Sequence, residues 1–118
     1  MRIAAIQDSP VFLDRSATLN IVQKWIIEAG EGGANLIAFP EVFVSGYPVW
    51  IDLTDASAWE KKTQQEAFAY YLDQSVEING SEFAGVIEAV REANAFTYVG
   101  VVERAASGGS ISVSYTHL

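Results

Sequence analysis

The sequence contains no cysteine. That absence excludes a disulfide framework, a thiolate metal site and a thiol nucleophile within these residues. There is a single histidine, His117, close to the end of the chain, and one histidine so placed does not make a Ser-His-Asp triad. No run of about 18 apolar residues occurs, so no membrane-spanning helix is expected. Basic residues are few, 7 Lys and Arg against 15 Asp and Glu, giving a net charge of −8. Arg2, Arg15, Lys24, Arg91 and Arg104 are scattered, and only Lys61 and Lys62 are adjacent. Nucleic-acid binding by phosphate neutralisation is therefore not expected. Met1–Gln7 is too short and then too polar for a signal peptide, and reads as a first strand, which points to a cytoplasmic protein.

What remains is a chain of 118 residues, half of them apolar, which bounds it to one globular domain at most. Arg2 to Gln7 is nearly continuous in apolar residues, as a strand covered on both faces is. Asp14 or Ser16 can cap a helix that follows, on which Leu19, Val22, Ile26 and Ala29 recur at helical spacing. Gly30, Gly32 and Gly33 are read as its stop, and Leu36 to Phe39 as a buried strand ended by Pro40. Strand, helix and strand make a βαβ unit with parallel strands. The glycines follow the helix rather than opening it, so this is no dinucleotide fold. A helix is expected from Ala56 to Leu72, with Trp59, Ala67 and Tyr70 or Tyr71 on one face and Lys61, Lys62, Gln65 and Glu66 on the other. Ser75 to Asn79 is read as a short extended piece. Ser81 opens a second helix with Phe83, Val86, Ile87 and Val90 as its core stripe and Asn94 as its stop. Phe96 to Val102 is β-branched and aromatic, a strand, followed by a turn over 105–109 and another strand from Ser110. The fold class is α/β throughout.

Glu41 is the residue that chemistry singles out. It is a lone carboxylate just past the carboxyl end of a strand, on the same rim as Asp8, where open α/β sheets place their ligands. Its neighbours Pro40, Val42, Phe43 and Val44 are apolar and would raise its pKa toward the range of a general base. The alternative for the same position is an acid on a solvated loop.

A-A-I-Q at Ala4–Gln7, F-P-E at Phe39–Glu41 with S-G-Y-P at Ser45–Pro48, S-V-E-I at Ser75–Ile78, and Y-V-G-V-V-E-R at Tyr98–Arg104 followed by Gly108 and Gly109 stand out as stretches. Together they resemble the nitrilase branch of the carbon–nitrogen hydrolase superfamily. The resemblance runs from about Ile3 to Ile111 and implies part of a four-layer αββα sandwich whose protomers associate into homo-oligomers. It also implies a glutamate, a lysine and a cysteine acting on a small-molecule nitrile, with no metal or organic cofactor. The thiolate attacks the nitrile carbon to give a thioimidate, which loses ammonia and is hydrolysed to the acid. The glutamate is general base, and the lysine steadies the anionic intermediate, since a poor electrophile needs an activated soft nucleophile and a cation where charge develops.

Glu41 matches the family glutamate. Tyr47 resembles a pocket-wall tyrosine, with packing of a turn as its equal alternative, and Trp50 is a weaker pocket candidate for an apolar nitrile. The lysine and cysteine do not transfer: Lys61 and Lys62 stand on an earlier helix and are read as a solvated face. An amidase of the same superfamily, or a short α/β module without catalysis, remains open. Residues 1–111 are read as the amino-terminal part of one such domain. From Ser112 on the pattern stops matching, and Val113–Leu118 corresponds to one reading frame of a common transposase-adapter DNA. The expectation is that 112–118 is a non-native tail.

Overall fold

A computed structural model describes residues 1–53, 58, 60–108 and 110–118, with the side chains of residues 115 and 117 outside that description. Four strands form one sheet in the order β1-β2-β3-β4: β1 (Ile3–Ala5), β2 (Leu36–Ala38), β3 (Phe96–Arg104) and β4 (Ile111–His117). The first three run parallel, with Ile3, Leu36 and Phe96 in register. β4 returns antiparallel along β3, from Arg104 opposite Ile111 to Tyr98 opposite His117. The expected βαβ unit is present, with strands shorter than the sequence indicated. The α/β class holds.

Helix α1 (Arg15–Glu31) begins where Asp14, in extended conformation, accepts a bond from the Ala17 N–H at 2.9 Å. This satisfies one of the donors that every helix start leaves open. Leu19, Val22 and Ile26 turn inward. Gly30 does not stop the helix but lies inside it. A Cβ there would stand 2.6 Å from the Cβ of Ala93, so the bare glycine permits close approach of the helix that carries Ala93.

Between β2 and β3 come a short helix α2 (Trp50–Leu53), then α3 (Lys62–Asp73) and α4 (Ala84–Ala93). A 3₁₀ turn, Ser81–Phe83, leads into α4. Helix α3 starts later than the sequence indicated. The expected start around Ala56 and the packing role of Trp59 lie outside the described residues. Lys62 pairs with Glu66 at 3.4 Å on the exposed side, as an i, i+4 pair does. Helix α4 ends at Asn94, whose φ of 48° and ψ of 44° are the left-handed conformation asparagine tolerates. Ser75–Asn79 contributes an isolated parallel bridge, Val76 to Glu103, continued by an ion pair of Arg104 with Glu77 at 3.3 Å.

The core lies on one face of the sheet. Ile37, Val99 and Val101 meet Leu19, Val22 and Ile26 of α1 and Phe83, Val86 and Val90 of the α4 region. Ile3, Phe96 and Tyr98 belong to the opposite face and remain 57%, 74% and 47% exposed. The expectation that β1 is covered on both faces is therefore corrected: the second face is covered only toward the carboxyl end of β3, where Val102 packs with Val42 and Tyr71, and not over Ile3, Phe96 and Tyr98.

Candidate functional site

The carboxyl end of β2 is interrupted by a loop that returns to the sheet. The Phe39 N–H donates to the Tyr98 carbonyl at 2.9 Å, and the Val44 N–H donates to the Gly100 carbonyl at 3.2 Å. Phe39 and Val44 are five residues apart, whereas Tyr98 and Gly100 are two apart, so the surplus chain must bulge away from the ladder. Pro40 starts the bulge because it has no N–H to donate. The bulge lies directly over Gly100. A Cβ at Gly100 would stand 2.8 Å from both the Glu41 Cα and the Val42 nitrogen, and closer still to the Pro40 carbonyl oxygen.

Left-handed conformation fixes the shape of this loop. Val42 has φ of 44° and Ser45 of 85°. For a β-branched residue such as Val42 this costs about 1–2 kcal/mol and persists only when the surroundings hold it. They do: Val42 is buried with Tyr71 and Val102, and Phe43 packs its ring 5.4 Å from that of Phe39. At the far end the Ser45 hydroxyl donates to the Gln74 carbonyl at 2.6 Å, and the Tyr71 hydroxyl to the Gly46 carbonyl at 2.9 Å. Arg15 anchors the same end of α3 by donating to the carbonyls of Asp73 at 2.7 Å and Ser75 at 2.6 Å. A guanidinium at a helix carboxyl terminus is favourable to both the open carbonyls and the dipole.

Glu41 stands exposed on this loop. The apolar neighbours do not enclose it: Val42, Phe43 and Val44 turn inward, and Pro40 and Glu41 face outward. The surrounding by apolar side chains expected from the sequence is thus corrected, the left-handed step at Val42 being what parts the two sets. Among the described residues nothing hydrogen-bonds or ion-pairs with the Glu41 carboxylate. Asp8, on the same rim, is engaged: it accepts from the Trp25 indole at 2.6 Å and from the Ser9 N–H at 2.7 Å. Those two bonds, the indole's first, hold its carboxyl below the usual range.

Tyr47 and Trp50 are gathered around Tyr71 rather than around Glu41. Tyr47 is exposed, and no bond joins it to Glu41 among the described residues. Trp50 sets its ring 5.7 Å from that of Tyr71. It lines a cavity of about 420 Å³ with Phe68, Tyr71, Val102, Ile111 and Val113, and Glu41 is not part of that lining. Burial foremost, and then the neighbouring Tyr47, push the Tyr71 phenol up to about 12. No cluster of three or more His, Asp or Glu residues suited to a metal occurs among the described residues.

Sequence reasoning missed Gly100, Ser45 and Tyr71 as the residues that shape the loop. Gly100 carried a readable signal, since a glycine inside a β-branched run marks close backbone approach. Chemically, an exposed carboxylate on a pinned loop at the carboxyl rim can accept a proton from a group brought against it.

The family model described as "Carbon-nitrogen hydrolase" matches residues 2–117. The chain is 32% identical over 103 residues to an arylacetonitrilase of Aspergillus oryzae, covering 87% of this chain and 29% of that protein. It is 34% identical over 104 residues to a nitrilase of Pseudomonas syringae pv. syringae, covering 88% and 30% respectively. Against an aliphatic nitrilase of Rhodococcus rhodochrous it is 32% identical over 112 residues, covering 93% and 28%. The chain thus spans less than a third of the length of these relatives.

Proposed function

The chain belongs to the carbon–nitrogen hydrolase family, and from that premise we propose that it is the amino-terminal part of a nitrilase, an enzyme converting a nitrile to a carboxylic acid and ammonia. Glu41 is its general base. The observation that carries this reading is Glu41 itself, an exposed carboxylate with no described partner, on a loop held at both ends at the rim of a parallel sheet. In the reaction it takes the proton from the attacking thiol and passes it to the nitrile nitrogen as the thioimidate forms. It then serves the water that expels ammonia and the water that releases the acid in the same way, so that each attack on carbon begins with an anionic nucleophile. The thiol and the lysine that steadies the intermediate belong to the remainder of the enzyme. The chain alone is therefore inactive. Its exposed Ile3, Phe96 and Tyr98 make it prone to associate through the open face.

The relatives' names favour a nitrile over an amide. The enzyme is further proposed to be a cytoplasmic homo-oligomer, with residues 112–118 a non-native tail. Re-reading the source DNA from the codon of Ala105 onward tests the tail: a frame that encodes Ser112–Leu118 and then stops refutes both it and the catalytic reading. For the function itself, ammonia release from a nitrile and from its amide is measured with the full-length enzyme and its E41Q variant. The expected result is nitrile turnover, lowered about 10²- to 10⁴-fold by E41Q, the range for loss of a positioned base. Turnover of the amide alone identifies an amidase, and an unimpaired E41Q variant refutes the role of Glu41.

A further inference from the structure

Gly100 meets the Glu41 loop in a way side-chain movement cannot alter. The three atoms nearest its absent Cβ are the Pro40 carbonyl oxygen, the Glu41 Cα and the Val42 nitrogen, all backbone. No rotamer change relieves such a contact. The ladder bonds of Phe39 and Val44 close on either side of it, and Ser45 and Tyr71 fix the loop beyond. The loop is therefore seated on β3 and not merely near it.

We propose that Gly100 is the positioning residue for Glu41: its missing side chain lets the Pro40–Val42 backbone rest on β3, and that seat sets where the carboxylate stands. The inference rests on the reading of Glu41 as the base. Carbon atoms in contact stand about 3.5–4.0 Å apart, whereas a methyl at position 100 would stand 2.8 Å from the Glu41 Cα. An alanine thus displaces Glu41 by on the order of 1 Å, a misplacement that lowers rates about 10²-fold. Gly30 supplies the comparison for a purely structural role. Its missing Cβ accommodates the Cβ of Ala93 at 2.6 Å between α1 and α4, a close contact made by two helices outside the loop.

The test uses the full-length enzyme with G100A, G30A, E41Q and the E41Q/G100A double variant, with kcat and KM expressed per folded molecule. The expected result is that G100A lowers kcat about 10²-fold with KM little changed, and that G30A lowers the melting temperature but leaves kcat as it was. G100A should also add nothing in the E41Q background, because the base it positions is already gone. The inference is overturned if G100A keeps wild-type kcat, or if it loses as much activity without Glu41 as with it. Should E41Q itself keep full activity, the reading of Glu41 falls and this inference falls with it. An inactive E41Q beside a fully active G100A removes this inference alone. Hydrogen exchange on the unaltered enzyme decides the matter even where G100A does not fold. The Val44 amide should be protected as well as that of Phe39, and exchange at the rate of an open loop overturns the seat.

Discussion

Replacing Tyr71 by phenylalanine removes one hydroxyl and leaves the ring in place. That ring is 2% exposed and packs with Val42, Val102 and Trp50, so little apolar burial changes. What is lost is the bond from the hydroxyl to the Gly46 carbonyl, 2.9 Å long and buried. Such a bond contributes about 0.5–1.5 kcal/mol net, and a buried acceptor left unsatisfied costs about 1–3 kcal/mol. A destabilisation of about 1–2 kcal/mol is expected, read as a lower urea midpoint in dilute solution. With a slope of about 1–3 kcal/mol per molar, the shift is on the order of 0.5–1 M. Alkaline titration gives an independent check. A phenol raised to about 12 in the fold stays neutral while the unfolded chain ionises near 10. The stability it contributes is therefore complete below pH 10 and lost as the pH climbs through about 12. A step of tyrosinate absorbance near that pH should appear in the wild type and be missing in Y71F. An unchanged urea midpoint together with an unchanged titration would refute the assignment.

Three further outcomes follow from other contacts. Arg15→Met keeps the aliphatic stem but loses the bonds to the Asp73 and Ser75 carbonyls. It should destabilise by about 1–3 kcal/mol, the range for bonds from a charged group, and equal stability by thermal melting counts against the clamp. Asn94→Ala places a Cβ-constrained residue in the left-handed conformation that ends α4. A loss of about 1 kcal/mol is expected in chemical denaturation, while Asn94→Gly should lose nothing. The bond from Trp25 to Asp8 depends on an ionised carboxylate whose pKa is lowered by that indole bond and then by Ser9. Its contribution is present above the unfolded value of 3.8 and lost as pH falls through the lower folded one. Trp25 fluorescence should change in that acid window in the wild type and not in D8N.

Local rules made much of the fold legible. The stripe Leu19–Val22–Ile26 and the Asn94 stop depend on neighbours within a turn or two and stand where the sequence put them, and of the two candidate caps, Asp14 and Ser16, the fold uses Asp14. Glu41 was legible as a position: an acid directly after a strand ended by proline. Its surroundings were not, because they depend on Gly100, far along the chain, and on a left-handed valine that no propensity favours. Gly30 was misread for the same reason, since its contact with Ala93 joins two helices distant in sequence. Trp50 belonged to an aromatic group, but only the fold could tell that Tyr71 was its partner and that Glu41 lay outside the cavity it lines.

Strand order in this sheet follows chain order, β1 through β4. During synthesis each new strand therefore adds beside the one just made, and no completed edge has to be reopened. Helix α1 keeps a different schedule. Its inward residues share their cluster with Phe83, Val86 and Val90, so a nascent chain that has passed Phe39 holds two paired strands and a helix only half covered. At about 5–20 residues per second, several seconds elapse before α4 emerges to cover it. That interval is when a chaperone has an apolar helix face to hold, and slower translation through residues 54–83 would lengthen it.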